Sequence, residues 1–150
     1  MGERIRRGTP DDVGAITALT RSAYAKWVPV IGREPLPMKV DYRAAIVAHR
    51  FDLLFADTAL AALIETVLRD ADLLIENVAV APDFQKRGFG RTLIAHAERL
   101  AVEAGRSNVR LYTNSRFEEN VRLYASLGYD MEGEETLNGS ILVHMVKHIA

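Results

Sequence analysis

The sequence predicts one α/β domain over residues 1–150, a mixed, mostly antiparallel twisted sheet of six to seven strands with about four helices packed on it. Three observations lead there. An almost unbroken apolar run at Leu73 to Val80, a helical pattern from Gly88 to Ala104 and a further apolar run at Val109 to Thr113 read as strand, helix, strand. A crossover of that length joins parallel strands of one sheet by a right-handed connection. Tight turns at Asp57-Thr58 and Asn138-Gly139 each lie between two strand-like runs, so hairpins supply antiparallel neighbours before and after the parallel unit.

Arg4 to Gly8 reads as a short first strand. Thr9 offers a helix N-cap, Pro10 suits the first helical position and Asp12 completes a Thr-x-x-Asp box. Val13, Ile16, Leu19, Ala23 and Trp27 recur at helical spacing, which carries the first helix to about Lys26. Residues 28–40 hold three of the five prolines and cannot stay regular for long. Loops of this kind on a rigid scaffold often line binding sites. A short helix follows at Asp41 to Ala48, then strands at Asp52 to Asp57 and Leu60 to Val67. Pro82 and Asp83 end the Leu73 to Val80 run. Phe89, Leu93, Ala97, Leu100 and Ala104 form one stripe of the next helix, closed by Gly105. Glu118 to Leu127 is a short helix closed by Gly128, and strands at Tyr129 to Leu137 and Ile141 to Lys147 end the fold.

With 150 residues the chain can cover one hydrophobic core. A formal net charge of -1 provides no global field for nucleic acid or an anionic membrane, so neither is expected as a partner. The absence of cysteine removes disulfides, thiolate metal sites and a cysteine nucleophile, and suits a reducing cytoplasm. Four histidines, at 49, 96, 144 and 148, read as surface or structural residues, and no metal is expected. Met1 to Gly8 is charged and unlike a signal peptide, and Leu53 to Leu68 is interrupted by Asp57 and Glu65 and too short to span a bilayer. A cytoplasmic location follows as the expectation.

The chemistry centres on Gln85-Lys86-Arg87-Gly88-Phe89-Gly90, between the central strand and its helix. A glycine-rich turn at a helix N-terminus presents unpaired amides and a positive dipole end, which suits a phosphate or pyrophosphate. Lys86, Arg87 and Arg91 add positive charge. A P-loop is absent, and a dinucleotide fingerprint fails because Leu93 stands where a third small residue is needed and no acid follows at the ribose distance.

Gln85-x-x-Gly88-x-Gly90 resembles the Q/R-x-x-G-x-G/A signature of the GNAT superfamily of acyl-CoA-dependent N-acyltransferases. Glu76-Asn77-Val78-Ala79-Val80-Ala81-Pro82-Asp83-Phe84 is similar to that family's fourth strand and the turn after it. Asn120-x-x-Leu123-Tyr124-x-x-x-Gly128-Tyr129 is similar to its late helix. The match runs from about Ile75 to Tyr129, with three motifs in the family's order. The resemblance implies that the fourth and fifth strands splay and that the pantetheine arm of acetyl-CoA lies in the gap. On that basis the backbone of Val78, Ala79 and Val80 pairs with the pantetheine amides, and Gln85, Lys86, Arg87, Gly88, Phe89, Gly90 and Arg91 form the pyrophosphate site.

Amide formation needs a neutral amine, help for the oxyanion and a proton for the departing thiolate. Glu76 interrupts an apolar run, where burial raises a carboxylate's pKa, and is the candidate base; the alternative is a residue facing solvent or paired with an arginine. Tyr124 is the candidate acid, the alternative being a core tyrosine. Glu65 and Tyr112 are secondary candidates as base or relay. Asn120, one helical turn before Tyr124, is placed to reach the coenzyme arm; relatives often carry that asparagine where this chain has Phe117, and Asn114 either substitutes or ends a strand. A backbone amide of the central strand, at Val78, is expected to meet the oxyanion. Tyr24, Trp27 and Tyr42 are candidate linings of the acceptor pocket, each with core packing as the plainer account. The expected reaction is acetyl transfer from acetyl-CoA to a primary amine of a small molecule or peptide. A non-catalytic acyl-CoA sensor is the competing reading, and relatives leave a homodimer open.

Overall fold

The computed structural model describes residues 2–149. Among them, seven strands form one sheet in the order β1-β2-β3-β4-β5-β7-β6. The strands are β1 Glu3–Arg7, β2 Arg50–Ala56, β3 Ala59–Leu68, β4 Leu73–Val80, β5 Asn108–Asn114, β6 Asp130–Leu137 and β7 Ser140–His148. The helices are α1 Val13–Tyr24, the single turn α2 Val28–Ile31, α3 Tyr42–Ala48, α4 Phe89–Glu103 and α5 Glu118–Ser126. The pair β4–β5 is parallel and every other pairing is antiparallel, as the sequence pattern predicts.

Apolar side chains of α4 and α5, such as Phe89, Leu93, Ile94, Ala97 and Tyr124, pack on one face of the sheet against Ile64, Ile75, Val109 and Leu111. Ile16 and Leu19 of α1 and Tyr42 and Ala45 of α3 cover the other face over Leu53, Leu63 and Ala79. Burying both faces is what makes β3 and β4 read as near-continuous apolar runs.

The entry to α1 is a 3-10 turn, Pro10–Asp12, rather than α-helix from the cap onward. Asp12 accepts the Thr9 amide at 2.8 Å and both guanidinium arms of Arg6 at 2.9 Å, tying β1 to the helix start. α1 ends at Tyr24, and a second 3-10 turn, Ala25–Trp27, carries the chain into the proline-rich segment. That segment holds only α2 and a 3-10 turn, Leu36–Lys39. At the closing hairpin, Asn138 and Gly139 have φ of 52° and 79°, the left-handed pair that a two-residue type I′ turn requires.

The central pair carries the feature that creates a site. β4 and β5 are in register only at Leu73↔Val109, Leu74↔Arg110 and Ile75↔Leu111. On the other edge of β4, Glu65 of β3 pairs with Asn77 and Thr66 with Ile75, so Glu76 is the extra residue of a β-bulge. A bulge bends the strand and increases its twist. It falls where β4 and β5 part company, and β5 continues to Asn114 paired with β7 alone.

Candidate active site

The gap between the parted strands opens into two cavities. The smaller, about 270 Å³, lies beside the Gln85 to Arg91 loop; the larger, about 600 Å³, lies under the proline-rich segment. Tyr24, Val78, Asn120 and Tyr124 line both, so the two spaces meet at those four residues.

The smaller cavity is built from backbone. Thr92 is the first residue of the loop-helix junction whose amide reaches a helical carbonyl, donating to Gly88 O at 3.0 Å. The first-turn amides before it have no intrahelical acceptor and are available to an anion. Gly88, the N-cap of α4, has φ 85°, a conformation that side chains resist. Gly90 is different: a Cβ there would meet only Val80 Cγ2 at 3.9 Å and Leu123 Cδ2 at 4.0 Å, ordinary contacts. Neither its φ nor its neighbours demand glycine, so the bare backbone serves the open groove. This cradle fits a diphosphate.

Side chains brace that loop. Gln85 donates through Nε2 to Val80 O at 3.0 Å and accepts from Lys26 Nζ at 3.2 Å. Lys26 also lies 3.5 Å from Glu119 of α5, crossing the groove. Of the three predicted cations, Lys86 and Arg91 line the groove, whereas the Arg87 guanidinium lies 5.1 Å from the Phe84 ring and 5.6 Å from that of Phe89.

The edge of β4 narrows the expected role of Val78, Ala79 and Val80. Ala81 donates its amide to Ala61 O of β3 at 2.8 Å. Strand backbone groups alternate edges, so Ala79 also turns toward β3 and only Val78 and Val80 present polar groups to the gap. In agreement, Gln85 reaches Val80 O, and Tyr24 Oη lies 3.3 Å from Val78 O.

The larger cavity holds carboxylates. Glu76 accepts from Tyr112 Oη at 2.7 Å. Glu65, only 3% exposed, is bound to His49 Nδ1 at 2.6 Å. Burial pushes the Glu65 carboxyl up, the hydrogen bond from His49 opposes that, and the nearby Glu76 charge adds to the rise. The Tyr124 hydroxyl has no side-chain partner among the described residues, and burial raises it to about 12, so it stays protonated. Tyr24 donates to Asn77 Oδ1 at 2.7 Å and is also pushed well up by burial.

A model of the Acetyltransferase (GNAT) family matches residues 18–129. The chain belongs to that family. It is an enzyme of the acyltransferase class, and its fold is that of solved GNAT structures. PaiA N-acetyltransferase from Thermoplasma acidophilum, solved in complex with coenzyme A, is 20% identical with a TM-score of 0.81, over 99% of this chain and 99% of that one. The ribosomal-protein-S18-alanine N-acetyltransferase from Escherichia coli is 20% identical with a TM-score of 0.81, over 99% and 94% of the two chains. Ard1 from Thermoplasma volcanium is 16% identical with a TM-score of 0.78, over 100% and 99%. No curated protein matches the chain in sequence. No helix among the described residues is long and apolar enough to cross a membrane.

Within this GNAT fold, Glu65, Glu76, Tyr112, Tyr124 and Asn120 all reach the larger cavity. Tyr24 and Tyr42 line it too. Trp27 does not: it stacks on Phe117 with ring centroids 4.5 Å apart and lines the smaller cavity instead. Asn114 accepts the Arg116 amide at 2.9 Å, a turn-forming role at the end of β5, and also borders the larger cavity. His49 is the residue the sequence reading passed over. The hairpin register sets Phe51 opposite Glu65, and His49, two residues before Phe51, reaches Glu65 diagonally, a signal that needs that register first.

Proposed function

We propose that the protein transfers an acetyl group from acetyl-CoA to a primary amine of a small molecule or peptide, by direct attack with donor and acceptor bound together. The observation that carries this is the meeting of the two cavities. A groove ending in unpaired helix amides joins a carboxylate-bearing pocket at Tyr24, Val78, Asn120 and Tyr124.

When bound, acyl-CoA supplies the acyl group as an activated thioester. The amides after Gly88 and the charges of Lys86 and Arg91 hold its diphosphate. Val78 and Val80 offer their open edge to the pantetheine amides, as an added strand would use it. An alkylamine with pKa ~10.4 arrives protonated at neutral pH. Glu76 accepts that proton, directly or through a water, while Tyr112 holds one of its oxygens. The Val78 amide faces the carbonyl oxygen as it gains charge. Tyr124, without a side-chain partner among the described residues and held in its neutral form by burial, gives its proton to the departing thiolate.

Thiol release from acetyl-CoA with a panel of primary amines tests the reading, with calorimetry of coenzyme A binding beside it. Release that depends on the amine is expected. Binding without release on any amine would leave the protein a sensor of acyl-CoA, and no binding at all would remove the coenzyme from the account.

A further inference from the structure

Glu65 is a buried carboxylate that the transfer steps above do not use. It stands on β3 opposite Asn77 and lines the larger cavity with Glu76. Only its Oε2 is engaged, by His49; no lysine or arginine pairs with it among the described residues. Facing it are Tyr24 from α1, Tyr42 from α3, Glu76 from β4 and Tyr112 from β5, with His49 at the C-cap of α3. The cavity's arginine and lysine, Arg33 and Lys39, are exposed on the proline-rich segment, and Arg33 is occupied with Ser140. While His49 is neutral, a carboxylate so enclosed, with a second one nearby, lacks a counter-ion, and that deficit is costly in an apolar setting.

We propose that Glu65, held by His49, is an ammonium subsite: the acceptor enters as its alkylammonium ion with Glu65 as counter-ion, and yields its proton to Glu76 from there. This rests on the acyl-transfer reading. In the step, an ammonium N–H bond breaks, the proton goes to a Glu76 oxygen, and the nitrogen lone pair is freed for attack. His49 is a positioning residue. As neutral imidazole it donates Nδ1–H to Glu65 and leaves the carboxylate its charge; as imidazolium it cancels that charge and competes with the substrate.

The test is steady-state kinetics on the full chain at saturating acetyl-CoA. It uses a primary alkylamine and an aniline of similar size, which is neutral at pH 7. Glu65→Gln is expected to raise KM for the alkylamine roughly ten- to hundredfold, more than it lowers kcat, as loss of a charged hydrogen bond does. The loss on the aniline is expected to be at least about tenfold smaller. His49→Ala removes the donor that holds Glu65 and is expected to raise KM for the alkylamine about tenfold, whereas His49→Gln keeps a donor and should restore KM to within about threefold of native. Equal losses on both amines, or an alkylamine KM that is the same in His49→Ala and His49→Gln, overturns the subsite. If the native chain turns over neither amine, the acyl-transfer reading fails by itself. Calorimetry of the alkylamine on coenzyme A-saturated protein then decides the subsite: tighter binding to native than to Glu65→Gln upholds it, and equal binding ends it.

Discussion

The same two strands behave differently at their two ends. From Leu73 to Ile75, β4 is paired with β5, and the junction is locked by charge. Asp72, 3% exposed, accepts from Nε and Nη2 of Arg69, each at 2.6 Å, and from Arg110 of β5 at 3.0 Å, and Arg110 reaches Glu132 of β6 at 2.8 Å. From Glu76 onward the β4–β5 register ends, Tyr112 still donates to Glu76 across the gap, and the backbone amides of Val78 and Val80 face open space. Satisfied hydrogen bonds make the lower end stable; unsatisfied ones make the upper end able to bind. One bulged residue separates the two regimes, and that residue, Glu76, is the proposed base.

Changes at the open end should cost function and spare the fold. The largest effect is expected for Tyr124→Phe, a drop in turnover on the order of 10²-fold or more, with coenzyme A affinity within about a factor of two. Because burial raises this hydroxyl to about 12, the native enzyme should show no alkaline loss of activity from it below that pH. A basic limb near pH 9 would have to come from another group, and unchanged turnover in the phenylalanine variant would take Tyr124 out of the chemistry. Gly90→Val comes next. Its Cβ has only ordinary neighbours in the fold, so the added bulk enters the groove and should weaken coenzyme A binding about tenfold or more by calorimetry. A variant that binds normally would show that the groove runs elsewhere.

What could be read from the sequence follows the same division. The Gln85 to Gly90 loop is legible because its physics is local: two glycines, a helix start and neighbouring cations lie within a few residues. Strand order around β4 and β5 is legible for a similar reason, since a strand, helix, strand run and an Asn-Gly turn each constrain their own connection. The pairings that complete the pocket are not. Tyr112 meets Glu76, and His49 meets Glu65, only after the sheet register is set, and a one-residue slip would turn each side chain away. The bulge that aims Glu76 has no sequence mark. Aromatic character makes Trp27 a candidate lining of the acceptor pocket, yet Phe117, ninety residues on, stacks on it beside the smaller cavity.

At the closed end the expectation reverses: stability suffers and chemistry does not. Asp72→Asn should lower stability by about 2 kcal/mol, since the carboxylate is buried but its two arginines are partly solvated. For a chain of this size that is a Tm decrease of about 4–8 °C, with turnover at 25 °C within about twofold. Its pH dependence has a definite sign. Arg69 and Arg110 hold the Asp72 carboxyl below the ordinary carboxylate range. Its contribution is therefore complete above that range and is lost as acid protonates the folded form, so native and variant Tm values should converge at low pH. A constant gap across pH would mean that packing, not charge, is what Asp72 supplies.

The smallest effect should come from the outer member of the same network. Glu132 touches Arg110 at 2.8 Å, a better distance than the 3.0 Å between Arg110 and Asp72, yet its side chain is 34% exposed against 4% for Asp72. If contact length governed the clamp, Glu132→Gln would cost as much as Asp72→Asn. Water competes for both partners of the outer pair, so exposure should govern instead, and the loss should stay below about 1 kcal/mol. Thermal melts of the two variants under one buffer decide between these. Equal Tm decreases would place the strength of the closed end in the chain of ion pairs as a whole, whereas a small shift for Glu132→Gln assigns it to the one carboxylate hidden from water.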